Sequence, residues 1–280
     1  LIRLAAIDLD GTLFNPRQEV TTANKQALLK AIENGIKIVI VTGRGQRGAE
    51  RALAMLEMEL PYVCSAGALA REGRDGVALY AHTFHHPDQT SHVIDFARRT
   101  GVGLIADTPE GIALWFGPDA LEEIMDPMSV ADARKSLRTF DPETDLDRPL
   151  LKLTIAAEME FLMQGEKVVR EKCPSLHLAY SGLTYIDLTE KGVNKGAALK
   201  ALAKHWNLDP QEIAAIGDQA IDLEMLQYAG LPVAMKNAVD ELKQAAKWIA
   251  PSNDEDGVAW ALERMIQENK EIIHAFRPSA

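Results

Sequence analysis

The chain is poor in cysteine, in cationic residues and in long apolar runs, and each shortage closes off a class of function. Its 280 residues include only two cysteines, Cys64 and Cys173, and no motif pairs them. A disulfide framework is therefore not expected, and a reducing cytoplasm is the expected compartment. Lysine and arginine number 30 against 41 aspartates and glutamates, a net charge of −11. Nucleic-acid binding draws on cationic neutralisation of phosphates, so no nucleic-acid partner is expected. No apolar stretch nears the roughly 18 residues of a membrane-spanning helix, so no membrane association is expected. The opening Leu1-Ile2-Arg3-Leu4 passes directly into a strand pattern and leaves no room for a signal peptide. There is no internal repeat or low-complexity tract, and nothing points to an obligate protein partner.

What is present is an alternation of strand and helix patterns, the signature of a parallel α/β sheet. Leu4–Asp8 reads as a buried strand, Thr22–Asn34 as a helix capped by Thr21 or Thr22 and stopped by Gly35, and Ile36–Val41 as a strand buried on both faces. Ala49–Met58 and Tyr62–Ser65 continue the series. The pattern then changes. Strands are expected at Val77–Thr83, Gly103–Phe116 and Leu150–Ala156, helices at Pro87–Thr100 and Glu158–Cys173, and a hairpin from Leu176 to Leu188. The stretch Pro118–Arg148 is polar and proline-punctuated, with short helices at best. The first pattern resumes with a helix at Lys195–Trp206 and runs to a last helix at Gly257–Glu268, followed by a partly frayed tail. With 47% apolar residues the chain can build two cores. The expected division is a doubly wound α/β core from 1–83 and 185–280, with an inserted α/β domain at 84–184.

Four separated stretches carry chemistry. Asp8 and Asp10, in Ile7-Asp8-Leu9-Asp10-Gly11-Thr12, lie two apart at a strand's C-terminal end and so share a face. One carboxylate there can attack an electrophile, and the other can serve as acid and then base. Two close carboxylates call for a cation, and oxygen ligands favour Mg2+. Thr42 and Gly43, in Val41-Thr42-Gly43-Arg44, end the second strand, where a hydroxyl and a free N–H can receive phosphate oxygens; Thr42 as a helix N-cap is the plainer alternative. Arg44 reads equally as substrate contact or solvated cation. Lys195 opens a helix after Gly192, where an ammonium would offset negative charge. Asp218 and Asp222 flank a strand-to-helix turn, four residues apart, as metal ligands or as carboxylates favoured by the helix dipole.

In this order and spacing the motifs resemble the haloacid dehalogenase-like superfamily. The long insert resembles that of its Cof-like sugar-phosphate phosphatases, which carry a cap domain. The resemblance covers essentially the whole chain. It implies a Rossmann-like core with a cap, and Mg2+-dependent hydrolysis of a small phosphorylated metabolite through an aspartyl-phosphate. Asp8 becomes nucleophile and metal ligand, and Asp10 acid/base and, through its main-chain carbonyl, metal ligand. Asp218 ligates directly, and Asp222 directly or through water. Leu9, Thr42, Gly43, Arg44, Lys195 and Asn237 fall at the phosphate or substrate. A phosphomutase with the same nucleophile, or a phosphate-binding protein without turnover, would share these features. Two positions depart from the family. Ile221 stands in Gly217-Asp218-Gln219-Ala220-Ile221-Asp222, and Ala66 in Ser65-Ala66-Gly67-Ala68, where relatives have asparagine.

Other patterns carry less. Gly43-Arg44-Gly45-Gln46-Arg47-Gly48 matches a dinucleotide loop, but the following strand ends in Cys64-Ser65-Ala66 rather than the acidic residue expected about 20 positions on. His82, His85 and His86 read as solvated loop residues rather than a zinc site. Met159 and Met163 suit the apolar face of a helix.

Overall fold

A computed structural model describes residues 1–111, 113–116, 137–139, 141, 145 and 147–275. The strands are β1 (Leu4–Ile7), β2 (Lys37–Val41), β3 (Tyr62–Cys64), β4 (Leu69–Arg71), β5 (Ala78–Ala81), β6 (Gly103–Asp107), β7 (Ala113–Phe116), β8 (Leu137–Thr139), β9 (Lys152–Ala156), β10 (Leu176–Tyr180), β11 (Tyr185–Glu190), β12 (Ile213–Gly217), β13 (Leu231–Met235) and β14 (Trp248–Ala250). The helices are α1 (Thr22–Glu33), α2 (Gln46–Leu56), α3 (Pro87–Thr100), α4 (Met159–Lys172), α5 (Lys195–His205), α6 (Leu223–Tyr228), α7 (Asp240–Ala245) and α8 (Gly257–Ala275).

Eight strands form one sheet in the order β14-β13-β12-β1-β2-β3-β4-β5. It is parallel from β14 to β3, and β4 and β5 extend it antiparallel. Every residue of β1 and β12 is buried, as strands covered on both faces must be. Chain order reverses at β1, with β2 on one side and β12 on the other. Open α/β sheets bind ligands at such a switch point, beyond the strands' C-terminal ends. Asp8 leaves β1 there, and Asp218 leaves β12 beside it.

The second sheet has the order β10-β11-β9-β6-β7-β8, antiparallel except for β7 with β8. Its apolar cluster, which includes Val93, Phe96, Leu104, Leu153, Ile155, Leu162 and Ile186, is separate from that of the first sheet. Side chains alternate between faces along a strand. Leu153 and Ile155 join this cluster, and Lys152 and Thr154 therefore point the other way. Asp187, between Ile186 and Leu188, does the same on β11.

The expected elements form, with four corrections and one strand, β4, that was not expected. β11 was expected on the core side of a boundary at 184/185, but it pairs with β9 and β10, so the second sheet runs to Glu190. The third strand of that sheet region, β8, lies in a stretch expected to hold short helices at best; most of Pro118–Arg148 falls outside the described residues. Met159 and Met163 are 41% and 63% exposed rather than packed, because Leu162, Gly165 and Val169 form the buried stripe of α4. The last helix does not fray after Glu268. It continues to Ala275, with Asn269 held by the backbone of Ile2 through Ile2 N–H to Oδ1 (2.8 Å) and Nδ2 to the carbonyl (2.7 Å). Residues 276–280 lie outside the described set.

Candidate active site

Asp8, Asp218 and Asp222 are all buried, and one carboxylate oxygen of each lies within 4.8 Å of the others. Lys195, 1% exposed, reaches between two of them: its ammonium donates to Asp8 Oδ1 and to Asp222 Oδ1, each at 2.6 Å. The other oxygen of Asp222 accepts the backbone N–H groups of Asp218 and Gln219, both at 3.0 Å. Asp222 thus orients both Lys195 and the turn that carries Asp218. Asp218 itself accepts Thr12 Oγ1 at 3.0 Å and Gln219 Nε2 at 2.9 Å. Gly11, with φ of +79°, makes this possible: a Cβ there would collide with the Asp218 carboxylate.

Burial, then the charges of Asp222, Asp218 and Asp10, push the Asp8 carboxyl well above its ordinary range, against the lowering pull of Lys195. Burial and then Asp222 push Asp218 up to about 6. Burial by itself would lower the Lys195 ammonium, but Asp222 and Asp8 outweigh it and hold the ammonium well above its usual value. Three carboxylates share one ammonium, so the donor set is all hard oxygen with an excess of negative charge. That set suits a divalent cation of the Mg2+ type, for which Asp8, Asp218 and Asp222 are the candidate ligands.

The raised carboxyl of Asp218 has a consequence for stability. An acid whose folded pKa exceeds its unfolded value contributes stability that is complete below the unfolded value, near 3.9, and lost as pH rises through the folded value. In EDTA, the unfolding free energy is expected to fall by about 2 kcal/mol between pH 4 and 7 through this group. Asp218→Asn should flatten the fall in denaturant titrations, and an equal pH slope in both proteins would contradict the assignment.

Asp10 stands apart from the cluster. Its carboxylate accepts Arg44 Nε at 2.8 Å and Nη2 at 2.5 Å, and Arg44 also donates to Gln18 Oε1 at 2.6 Å. Arg44 is thus neither simply solvated nor free. Thr42 is not a helix cap. Gly45 occupies the N-cap of α2, the Thr42 hydroxyl accepts the Arg44 N–H at 3.1 Å, and the Thr42 N–H goes to the Val63 carbonyl at 2.9 Å. The Leu9 side chain is buried, and its carbonyl accepts the N–H groups of Thr12 and Phe14. Asn237 meets the first motif through its backbone: Nδ2 donates to the Gly11 carbonyl at 2.8 Å, and Oδ1 accepts the Asn253 N–H at 3.1 Å. Asn253 in turn donates to the Phe14 carbonyl at 2.8 Å. The histidines form no cluster: His82 and His85 are exposed, and His86 pairs with Glu190 at 2.8 Å.

Ser65, Ala66 and Gly67 all have positive φ, at 49°, 55° and 106°. The first two lack glycine's freedom there, and each costs of the order of 1 kcal/mol or more. The turn presses Gly67 against the Asn194 carbonyl, where no Cβ fits. Asn194 caps α5 by accepting the Ala197 N–H at 2.7 Å. The strained turn therefore backs the first residue of α5, which is Lys195.

A family model described as haloacid dehalogenase-like hydrolase matches residues 5–262. The chain belongs to the haloacid dehalogenase-like hydrolases. Among its relatives, 5-amino-6-(5-phospho-D-ribitylamino)uracil phosphatase YwtE of Bacillus subtilis is 26% identical over 95% of this chain and 98% of its own. A haloacid dehalogenase-like hydrolase from Bacteroides thetaiotaomicron superposes with a TM-score of 0.80 at 26% identity, over 95% of this chain and all of that one (100%). BT4131, described as a subclass IIB sugar phosphatase of the same superfamily, shares the fold with a TM-score of 0.80 at 22% identity, over 94% and 98%. The hydrolase is thus an enzyme whose relatives include named phosphatases.

A second polar group in the hydrolase escaped the sequence reading. Lys152, Thr154, Asp107 and Asp187 are buried on the face of the second sheet that turns toward the first. Asp107 pairs in register with Lys152, and Asp187 with Thr154. Lys152 lies 3.0 Å from Asp187 and 3.8 Å from Asp107, and also donates to the Gly43 carbonyl at 2.6 Å. Ser65 donates to Asp107 at 3.0 Å. The signal was present as single polar residues between apolar ones, in Lys152-Leu153-Thr154-Ile155 and Ile186-Asp187-Leu188.

Proposed function

We propose that this hydrolase is a phosphatase that cleaves small phosphate monoesters, sugar phosphates among them, through an aspartyl-phosphate on Asp8, with Mg2+ as cofactor. The observation that carries this reading is the buried Lys195 ammonium bridging Asp8 and Asp222, with Asp218 beside them, at the sheet's switch point. The name of YwtE supports a phosphate monoester as substrate. Residues 84–190 are the cap in this reading, and 1–83 with 191–280 the catalytic core. The seating of Lys152 on the Gly43 carbonyl supports a cap that closes over the site. The buried free thiols Cys64 and Cys173 support a reducing compartment such as the cytoplasm.

A carboxylate oxygen of Asp8 attacks phosphorus, and the bond to the leaving oxygen breaks. Asp10, once it has left Arg44 and taken a proton from solvent, gives that proton to the leaving oxygen. The same carboxylate then takes a proton from water, which attacks phosphorus, releases inorganic phosphate and restores Asp8. Lys195 and Thr42 offset charge on the transferring group, and Gly43 lets phosphate oxygens approach the backbone. Bound Mg2+ supplies the remaining neutralisation of carboxylate and phosphoryl charge.

Inorganic phosphate release from sugar, nucleotide and cofactor phosphates tests the proposal. Turnover in Mg2+ that stops in EDTA is the expected result. Transfer to an organic acceptor in place of water would make the protein a phosphomutase. Binding without release from any compound would make it a phosphate-binding protein.

A further inference from the structure

We propose that Lys152 is a positioning residue through which docking of the second sheet completes the phosphate-binding loop. Its ammonium pins the Gly43–Arg44 peptide, and that peptide holds the Thr42 hydroxyl as a donor for phosphate. This rests on the phosphatase reading above and deepens it, by tying phosphate binding to the closed cap.

Lys152 is 7% exposed. Within its own sheet it faces Asp187 Oδ1 at 3.0 Å and Asp107 Oδ2 at 3.8 Å. Across the gap to the first sheet it donates to the Gly43 carbonyl at 2.6 Å. Burial by itself would lower this ammonium, but Asp187 and Asp107 outweigh it, so a charged donor meets the carbonyl. The Gly43–Arg44 peptide is trans, and its carbonyl and N–H therefore point opposite ways. The carbonyl goes to Lys152, and the N–H goes to Thr42 Oγ1 at 3.1 Å. A hydroxyl oxygen that accepts a hydrogen bond keeps its own proton to donate. Glycine at 43 is what makes the pin necessary. Without a Cβ, its backbone has few steric limits, and the peptide that follows can rotate and release Thr42. A charged donor at one end also polarises the peptide, which strengthens the bond at the other.

The same loop carries a second mark of this docking. Asp107, the register partner of Lys152, accepts Ser65 Oγ at 3.0 Å, and the Ser65 N–H donates to the Arg44 carbonyl at 2.7 Å. A Cβ on Gly45 would lie 2.6 Å from Asp107 Oδ1, although Gly45 has an ordinary φ of −65°. Its backbone does not call for glycine; the approach of Asp107 does.

The test is a double-mutant cycle between Lys152→Met and Thr42→Val, two residues linked only through the peptide. Lys152→Met is made alone and also on Asp187→Asn, where one fewer buried carboxylate is stranded and folding is less at risk. Inorganic phosphate is titrated in Mg2+, and kcat/KM is measured for glucose 6-phosphate and p-nitrophenyl phosphate. Lys152→Met is expected to weaken phosphate binding about 3- to 10-fold relative to either parent, the effect of one hydrogen bond. It should lower kcat/KM for both esters by a common factor, and add nothing to Thr42→Val. Unchanged phosphate affinity would overturn the proposal. So would an equal loss in the Thr42→Val background, the mark of a charge acting through space, as Arg44 and Lys195 can. A loss confined to one ester would make Lys152 a leaving-group contact instead. Exchange of the Arg44 amide hydrogen, followed by NMR without substrate, reads the link directly. It should quicken in Lys152→Met, and an unchanged rate would overturn the proposal. Absence of phosphate release from both esters would sink the phosphatase reading alone, because the exchange rates and phosphate titrations need no turnover.

Discussion

Asp8→Asn is expected to abolish phosphate release and, in EDTA, to raise the stability of the folded protein. The first effect follows from the chemistry. Asparagine has no carboxylate oxygen to attack phosphorus, and losing a nucleophile of this kind costs about 10⁴-fold or more. The second follows from the electrostatics. Asp8 is buried with Asp222 and Asp218, and both burial and their charge push its carboxyl upward. Asparagine removes that repulsion, and Lys195 still has Asp222 at 2.6 Å. A gain in unfolding free energy is therefore expected at pH 7. Phosphate release and thermal melting in EDTA check the two halves separately. A variant that loses activity and also melts lower would show that the ion pair with Lys195 outweighs the repulsion among the carboxylates.

Lys195→Met is expected to damage both activity and stability. Methionine approximates the shape of the lysine stem but leaves Asp8, Asp218 and Asp222 buried without their ammonium. Breaking a buried pair by removing one partner costs about 3–5 kcal/mol, because the stranded charge cannot reach water. The loss of a preorganised positive charge at the reacting group should lower kcat/KM by about 10³-fold. Mg2+ should therefore raise the melting temperature of Lys195→Met more than that of the wild type, since the cation takes over part of the neutralisation. Equal Mg2+-induced shifts in the two proteins would show that lysine and metal answer to different charges. Lys195→Arg would not be a mild control, because a planar fork cannot occupy the space of a compact ammonium held between two oxygens.

Much of the fold could be read from the chain before any coordinates. β1, β2 and β12 announce themselves as short continuous apolar runs, and α1 by its Thr21 cap, which accepts the Asn24 N–H at 3.1 Å. β4 escaped notice because Leu69-Ala70-Arg71 holds no β-branched or aromatic residue to mark a strand. The misplaced boundary at 184/185 has a similar cause. A hairpin is visible locally, but β11 belongs to the second sheet because it pairs with β9, some thirty residues earlier, and no local pattern names that partner.

The sequence by itself determined the order of strands and helices, the position of the carboxylates at strand ends, and the chemistry those carboxylates can perform. Periodicity and spacing suffice there, because they state which way a side chain points and what kind of group it carries. Only the tertiary structure decided which groups meet. It set Lys195 between Asp8 and Asp222, paired Asp10 with Arg44, sent Asn237 to the Gly11 carbonyl, and turned Asp187 toward Gly43. These partners lie far apart in the chain, and their meeting depends on how two sheets and their helices pack. Burial then converts those meetings into shifted charges, which a sequence cannot display.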